Sequence, residues 1–199
     1  MELTFSDLIS MFSLSPRRRL RDSSDHFVEF YDNDPSLIDS IARFLSTGLN
    51  RGEAAIVVAT PSHAGALDEA LRNAGVDVDG ARERGLLVSM DAQASLDLFM
   101  DDGMPSTDKF EELIGGTISR AAAGGRPVRI FGEMVALLWE QGNLDGALRL
   151  EDLWNYLAES HRFRLFCAYP AGAFGERDLA PLRAVCHSHT HLITAESTA

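Results

Sequence analysis

The densest chemical signal in the chain is the run Cys186-His187-Ser188-His189-Thr190-His191 near its C-terminus. Imidazole and thiolate are the side chains that zinc and its transition-metal neighbours prefer. On a helix, His187 and His191 share a face at i and i+4 while His189 points away; in an extended segment all three histidines share one face. Either a metal set of Cys186, His187, His189 and His191 or a run of solvated histidines fits the spacing. A Cys186–His187 catalytic dyad does not, because adjacent residues on a helix diverge.

A second set follows the apolar segments. Tyr31-Asp32 comes after His26–Tyr31, Thr60 and His63 after Ala54–Ala59, Asp91 after Gly85–Met90, Glu133 at the end of Val128–Glu133, and Tyr169 at the end of Phe163–Pro170. Each of those segments reads as a strand, and ligands of open parallel sheets bind beyond the strands' carboxyl ends. Tyr31, Thr60, His63, Asp91, Glu133 and Tyr169 are therefore expected to converge on one edge as a ligand site. The other reading of each is plainer: Glu133 as an acid favoured at a helix start, His63 as a solvated imidazole, and the two tyrosines as aromatics closing the core. His26 opens its strand, so it is expected at the opposite end, in a structural or interface role.

The turn after the first strand, Tyr31-Asp32-Asn33-Asp34-Pro35-Ser36, has neither the glycines nor the lysine of a phosphate-binding loop. Such a loop presents backbone N–H groups and a lysine to the phosphates, whereas Asp32 and Asp34 repel them. The fold of a nucleotide-binding domain is thus expected without its usual chemistry, and the chain is expected to be non-enzymatic, with no catalytic residues and no cofactor that the sequence identifies.

The elements that position these residues alternate. Asp34-Pro35 marks a cap and first helical turn, with Leu37, Ile38, Ile41, Phe44 and Leu45 on one apolar face; Thr60-Pro61 repeats the start signal and Gly75 stops the second helix. Alternation of strand and helix implies parallel βαβ units. The 199 residues, 45% of them hydrophobic, suit a single globular domain. No apolar run approaches the roughly 20 residues of a membrane span, and no secretory signal is expected. A net charge of −12 argues against nucleic acid as the partner of this chain. Its two cysteines, Cys167 and Cys186, read as reduced thiols of a cytoplasmic protein.

Residues 1–21 differ in character. Phe5, Leu8, Ile9 and Phe12 recur at helical spacing, and Arg17, Arg18, Arg19 and Arg21 follow. This amphipathic helix and basic linker packs on its own domain, docks a second copy or a signalling partner, or meets a membrane surface. Residues 22–192 form the domain proper and residues 193–199 a tail.

The ordered set His26–Tyr31, Leu37, Phe44, Gly48-Leu49, Gly52-Glu53, Val57–His63, Gly132-Glu133-Met134, Leu153-Trp154-Asn155, Phe166–Pro170 and Cys186–His189 resembles the MEDS domain, the sensory domain of methanogens, methylotrophs and the dichloromethane regulator. The resemblance covers about residues 22–192. It implies a three-layer, mostly parallel KaiC/RecA-like α/β fold with its phosphate loop lost, and a sensory role in bacterial or archaeal signalling. It also places Glu133 where such folds keep an acid that assists Mg²⁺. Members of the family are fused to DNA-binding, kinase or other regulatory domains; here output is expected through small-ligand binding, with a protein-interaction accessory subunit of a kinase or response-regulator system, docking through the N-terminal helix, as the alternative, and a residual nucleotide-binding enzyme as a third reading. A homo-oligomer is expected.

With two aspartates in place of the phosphate cradle, calorimetric titration of the protein with Mg·ATP should show no binding. Low-micromolar affinity would contradict this reading of the turn.

Overall fold

Small and β-branched apolar residues fill Ala54–Ala59, and all six are buried, as a central parallel strand between two helical layers requires. In a computed structural model, which describes residues 25–174 and 179–193, this strand (β2) lies inside a six-stranded parallel sheet. The others are β1 (His26–Tyr31), β3 (Leu87–Asp91), β6 (Val128–Gly132), β7 (Phe163–Pro170) and β8 (His191–Ile193), in the order β3-β2-β6-β7-β1-β8. A separate two-residue hairpin, β4 (Met100–Asp101) with β5 (Met104–Pro105), turns through Asp102 and Gly103, both at positive φ. The amphipathic segment 1–21, with Phe5, Leu8, Ile9 and Phe12, lies outside the described residues.

Helices α1 (Asp34–Leu49), α2 (Pro61–Asn73) and α3 (Val78–Glu83) cover one face. Leu37, Ile41, Leu45, Leu67, Leu71 and Val78 pack there on Ala55, Val57, Phe131 and Phe166. The other face carries α4 (Ala92–Phe99), the helical stretch α5 (Thr107–Phe110) continued through a π turn (Glu111–Gly115) into α6 (Gly116–Ala121), α7 (Met134–Glu140), α8 (Leu144–Ser160) and α9 (Leu179–Ser188). Leu96, Phe99, Phe110, Val135, Leu150, Trp154 and Val185 fill that layer against Val28, Ile56, Ile130 and Leu165. Strand alternation sends Phe166 and Ala168 to the first layer and Leu165, Cys167 and Tyr169 to the second.

Two local signals moved when the chain folded. The cap of α1 is Asn33 rather than Asp34, because the capping residue needs an extended backbone (φ −156°, ψ 153°) and Asp34 is already helical; the Asn33 side chain accepts the Ser36 N–H at 3.0 Å. The Cys186–His191 run is neither all helix nor all strand. It leaves α9 at Ser188 and enters β8 at His191, and β8 pairs with β1 in parallel at Phe27–His191, Val28–Leu192 and Glu29–Ile193.

The α1 layer is fastened by a buried charge. Arg129, on β6 and 6% exposed, sets its Nε 2.6 Å from Glu53 Oε2, donates from Nη1 to the Phe44 carbonyl at 2.9 Å, and lies 5.0 Å from the Phe44 ring centre. Gly48 allows this close passage, since a Cβ there would stand 2.6 Å from both Arg129 Cδ and Nε and 2.9 Å from Glu53 Oε2. Breaking one side of a buried ion pair costs several kcal/mol. Gly48→Ala should therefore lower the unfolding free energy by about 2 to 4 kcal/mol in urea titration, and a loss under about 0.5 kcal/mol would show that Arg129 steps aside freely.

Candidate functional site

Strand β2 hands the chain to α2 on one face of the sheet, whereas its neighbour β6 hands it to α7 on the other. The two carboxyl ends part there, which is where doubly wound sheets form a crevice. Thr60 and His63 stand on one lip and Glu133 on the other. Glu133 Oε2 accepts the Thr60 N–H at 2.7 Å, and Oε1 lies 2.6 Å from His63 Nδ1. A carboxylate only accepts, so Nδ1 carries the proton in that bond. His63 Nε2 faces Asp34 Oδ2 at 3.5 Å, so one imidazole bridges a buried and an exposed carboxylate.

Local structure aims these groups. Thr60 caps α2, its hydroxyl oxygen 3.4 Å from the His63 N–H, which fixes His63 in the first turn. Glu133 is anchored by its own N–H to the Val58 carbonyl at 2.9 Å. It stands at the cap position of α7, yet its side chain makes no capping bond to that helix; the carboxylate is turned across the crevice instead. Tyr31 is half-buried at the end of β1, where burial and then the negative charges of Glu133, Glu140 and Asp34 push its phenol up, so it remains an O–H donor. The crevice is thus lined by acids, a histidine and a neutral phenol.

The remaining two expected ligand residues lie apart. Asp91 is exposed and caps α4, accepting the Ala94 N–H at 2.7 Å. Tyr169 is fully buried under the α7–α9 layer, and its hydroxyl donates to Glu151 Oε1 at 2.7 Å. A surface depression lined by Trp139, Glu140, Gly142, Leu144 and Ala173 does not include the Glu133–His63 pair.

Tyr169 leads to a second cluster. Glu151 on α8 has no exposed surface, and around its carboxylate stand His26 of β1, Cys167 of β7 and His189 between α9 and β8, all buried. His26 Nε2 is 3.3 Å from Glu151 Oε2 and 3.4 Å from Cys167 Sγ; His189 Nε2 is 3.5 Å from Glu151 Oε1; the two imidazole centres are 3.9 Å apart. Burial acts to raise the Glu151 carboxyl, but His189, His26 and the Tyr169 hydroxyl outweigh it and hold it below the ordinary carboxylate value. Burial, then the Glu151 charge, pushes the Cys167 thiol and the Tyr169 phenol well up.

Of the C-terminal run, only His189 enters this group. His187 is exposed on α9, Cys186 is half-buried, and His191 is exposed, its ring stacked on Phe27 with Nδ1 4.0 Å from Asp25. Sequence reasoning set His26 aside and did not single out Glu151 or Cys167 as a site. A signal existed: Ala147, Glu151 and Trp154 are at i, i+4 and i+7, so an acid sits inside the apolar stripe of α8.

No described helix is long and apolar enough to cross a membrane. No curated protein matches the chain. Among solved structures, a KaiC-like protein from the hyperthermophilic archaeon Pyrococcus horikoshii OT3 has a similar fold, with a TM-score of 0.51 and 15% identity over 81% of this chain and 69% of that one. The family model MEDS, for MEthanogen/methylotroph, DcmR Sensory domain, matches residues 25–189, and the chain belongs to that sensory-domain family.

Proposed function

We propose that this protein is a non-enzymatic sensory domain of a cytoplasmic signalling system and that it takes a small ligand in the crevice between the carboxyl ends of β2 and β6. The observation that carries the reading is Glu133: a buried carboxylate that leaves its own helix uncapped and reaches across the sheet's switch point to Thr60 and His63. Charge selects the ligand class. Glu133, Asp34 and Glu140 make the local field negative around Tyr31, so the occupant brings positive charge or N–H and O–H donors rather than phosphate. His63 is the movable element, because a ligand donor that takes over Glu133 Oε1 releases the imidazole toward Asp34. Such an exchange of partners at the start of α2 is the physical form of the signal in this reading, since it changes what holds the helix terminus. Asp91 and Tyr169 support the frame in this reading, by capping α4 and by bonding Glu151.

Native mass spectrometry of the purified protein should show a retained small molecule, or a thermal-shift screen of small amines and polyols should find one that raises the melting temperature. Glu133→Gln and His63→Ala should each weaken that compound by about ten- to a hundredfold, the worth of one hydrogen bond to a charged group. Unchanged affinity in both variants would move the ligand elsewhere.

A further inference from the structure

We propose that His26, Glu151, Cys167 and His189 form a closed four-ligand site for a zinc-class divalent transition-metal ion. The donor set is two imidazoles, a thiol and a carboxylate, with one ligand atom from each lying within 4.8 Å of the others. At metal–ligand distances of about 2.0 to 2.3 Å, tetrahedral ligands stand roughly 3.3 to 3.8 Å apart. The separations here are 3.3 Å (His26 Nε2 to Glu151 Oε2), 3.4 Å (His26 Nε2 to Cys167 Sγ), 3.5 Å (His189 Nε2 to Glu151 Oε1) and 3.9 Å (Cys167 Sγ to Glu151 Oε2). Three of these separations fall in that range and the fourth is 3.9 Å, and with all four ligand atoms within 4.8 Å of one another a small inward movement closes the set around an ion.

The surrounding bonds orient the donors as a metal needs. His189 Nδ1 is 2.7 Å from the Val185 carbonyl, which only accepts, so Nδ1 carries the proton and Nε2 is left to coordinate. His26 is fixed the same way. Its Nδ1 lies 3.2 Å from Asn155 Oδ1, and the Asn155 amide is held in that orientation by donating to the Ser188 carbonyl at 3.0 Å. Tyr169 donates to Glu151 Oε1 at 2.7 Å and steadies the carboxylate. Oxygen or carboxylate contacts behind each ligand are the usual supporting shell of a protein metal site.

The chemistry narrows the ion. Magnesium and calcium favour all-oxygen sets, whereas imidazole with thiolate selects zinc, cobalt and similar ions. Four protein ligands, all buried, leave no open coordination position, so the ion is structural or regulatory rather than catalytic. It joins the start of β1, the middle of β7, α8 and the α9–β8 junction, so its occupancy sets how firmly the C-terminal edge strand is docked.

The test uses the full chain, stripped with a chelator and titrated with cobalt(II) and zinc(II). One ion per chain is expected, with sulfur-to-cobalt charge-transfer absorption and the intense visible bands of a tetrahedral site, and both should persist in Cys186→Ser and His187→Ala. Cys167→Ser should abolish the charge-transfer band and weaken zinc at least about a hundredfold, and Asn155→Ala should weaken it about ten- to a hundredfold. Should Cys167→Ser fail to fold, the band in Cys186→Ser still assigns the sulfur, because the chain has two cysteines. A folded wild-type chain that binds neither ion at micromolar concentration, binds without thiolate absorption, or loses the site in Cys186→Ser or His187→Ala overturns the proposal.

Discussion

A carboxylate with no exposed surface has to be compensated by its neighbours, and Glu151 imposes that demand on four elements at once. It sits in the apolar stripe of α8 and draws in His26 from β1, Cys167 and Tyr169 from β7, and His189 from the α9–β8 junction. An unpaired charge in such a place costs several kcal/mol, so the partners cannot drift apart without exposing it to that penalty. The sheet edge follows from this. β8 is only three residues long, and its register on β1 is reinforced by Thr190, whose N–H and hydroxyl both bond the His26 carbonyl, at 2.8 and 3.0 Å.

The crevice acid obeys the same rule in a wetter setting. Glu133 is buried but bordered by half-buried Thr60, His63 and Tyr31, so its compensation comes from a backbone N–H and an imidazole that can change partners. Glu151 is locked; Glu133 is merely satisfied. β1 runs between the two, with His26 at one end and Tyr31 at the other, about 17 Å apart at roughly 3.3 Å per residue. In the function proposed above, Glu133 is the place that responds and Glu151 belongs to the frame that does not. Arg129 completes the frame by tying α1 to β6 through Glu53 and the Phe44 carbonyl.

β2 was legible because a parallel strand buried on both faces reads as a continuous apolar run, and β1 and β7, each only in part buried, also begin and end where composition places them. The family resemblance was legible because its motifs are short ordered runs spread over strands and helices alike, from His26–Tyr31 on β1 to Leu153-Trp154-Asn155 within α8. Within the expected ligand set, the structure joins Thr60, His63 and Glu133 by hydrogen bonds, because each follows a strand at the switch point. Tyr169 escaped that logic. It closes β7 one residue before Pro170, and pleat alternation turns it into the core beside Cys167 rather than to the rim. The buried cluster was illegible from spacing: Glu151 and Cys167 are 16 positions apart but His26 and Cys167 are 141, and His26 meets Asn155 and Thr190 across 129 and 164 positions. Only the fold brings them together.

Whether the Glu151 charge holds the C-terminal edge to the sheet is tested directly by amide hydrogen exchange on Glu151→Gln. Local opening reports the stability of each cooperative unit separately. In the variant, α9 and β8 should lose most of their protection while β2 and β6 keep theirs. Protection unchanged across α9 and β8, or lost uniformly over the whole sheet, would contradict it.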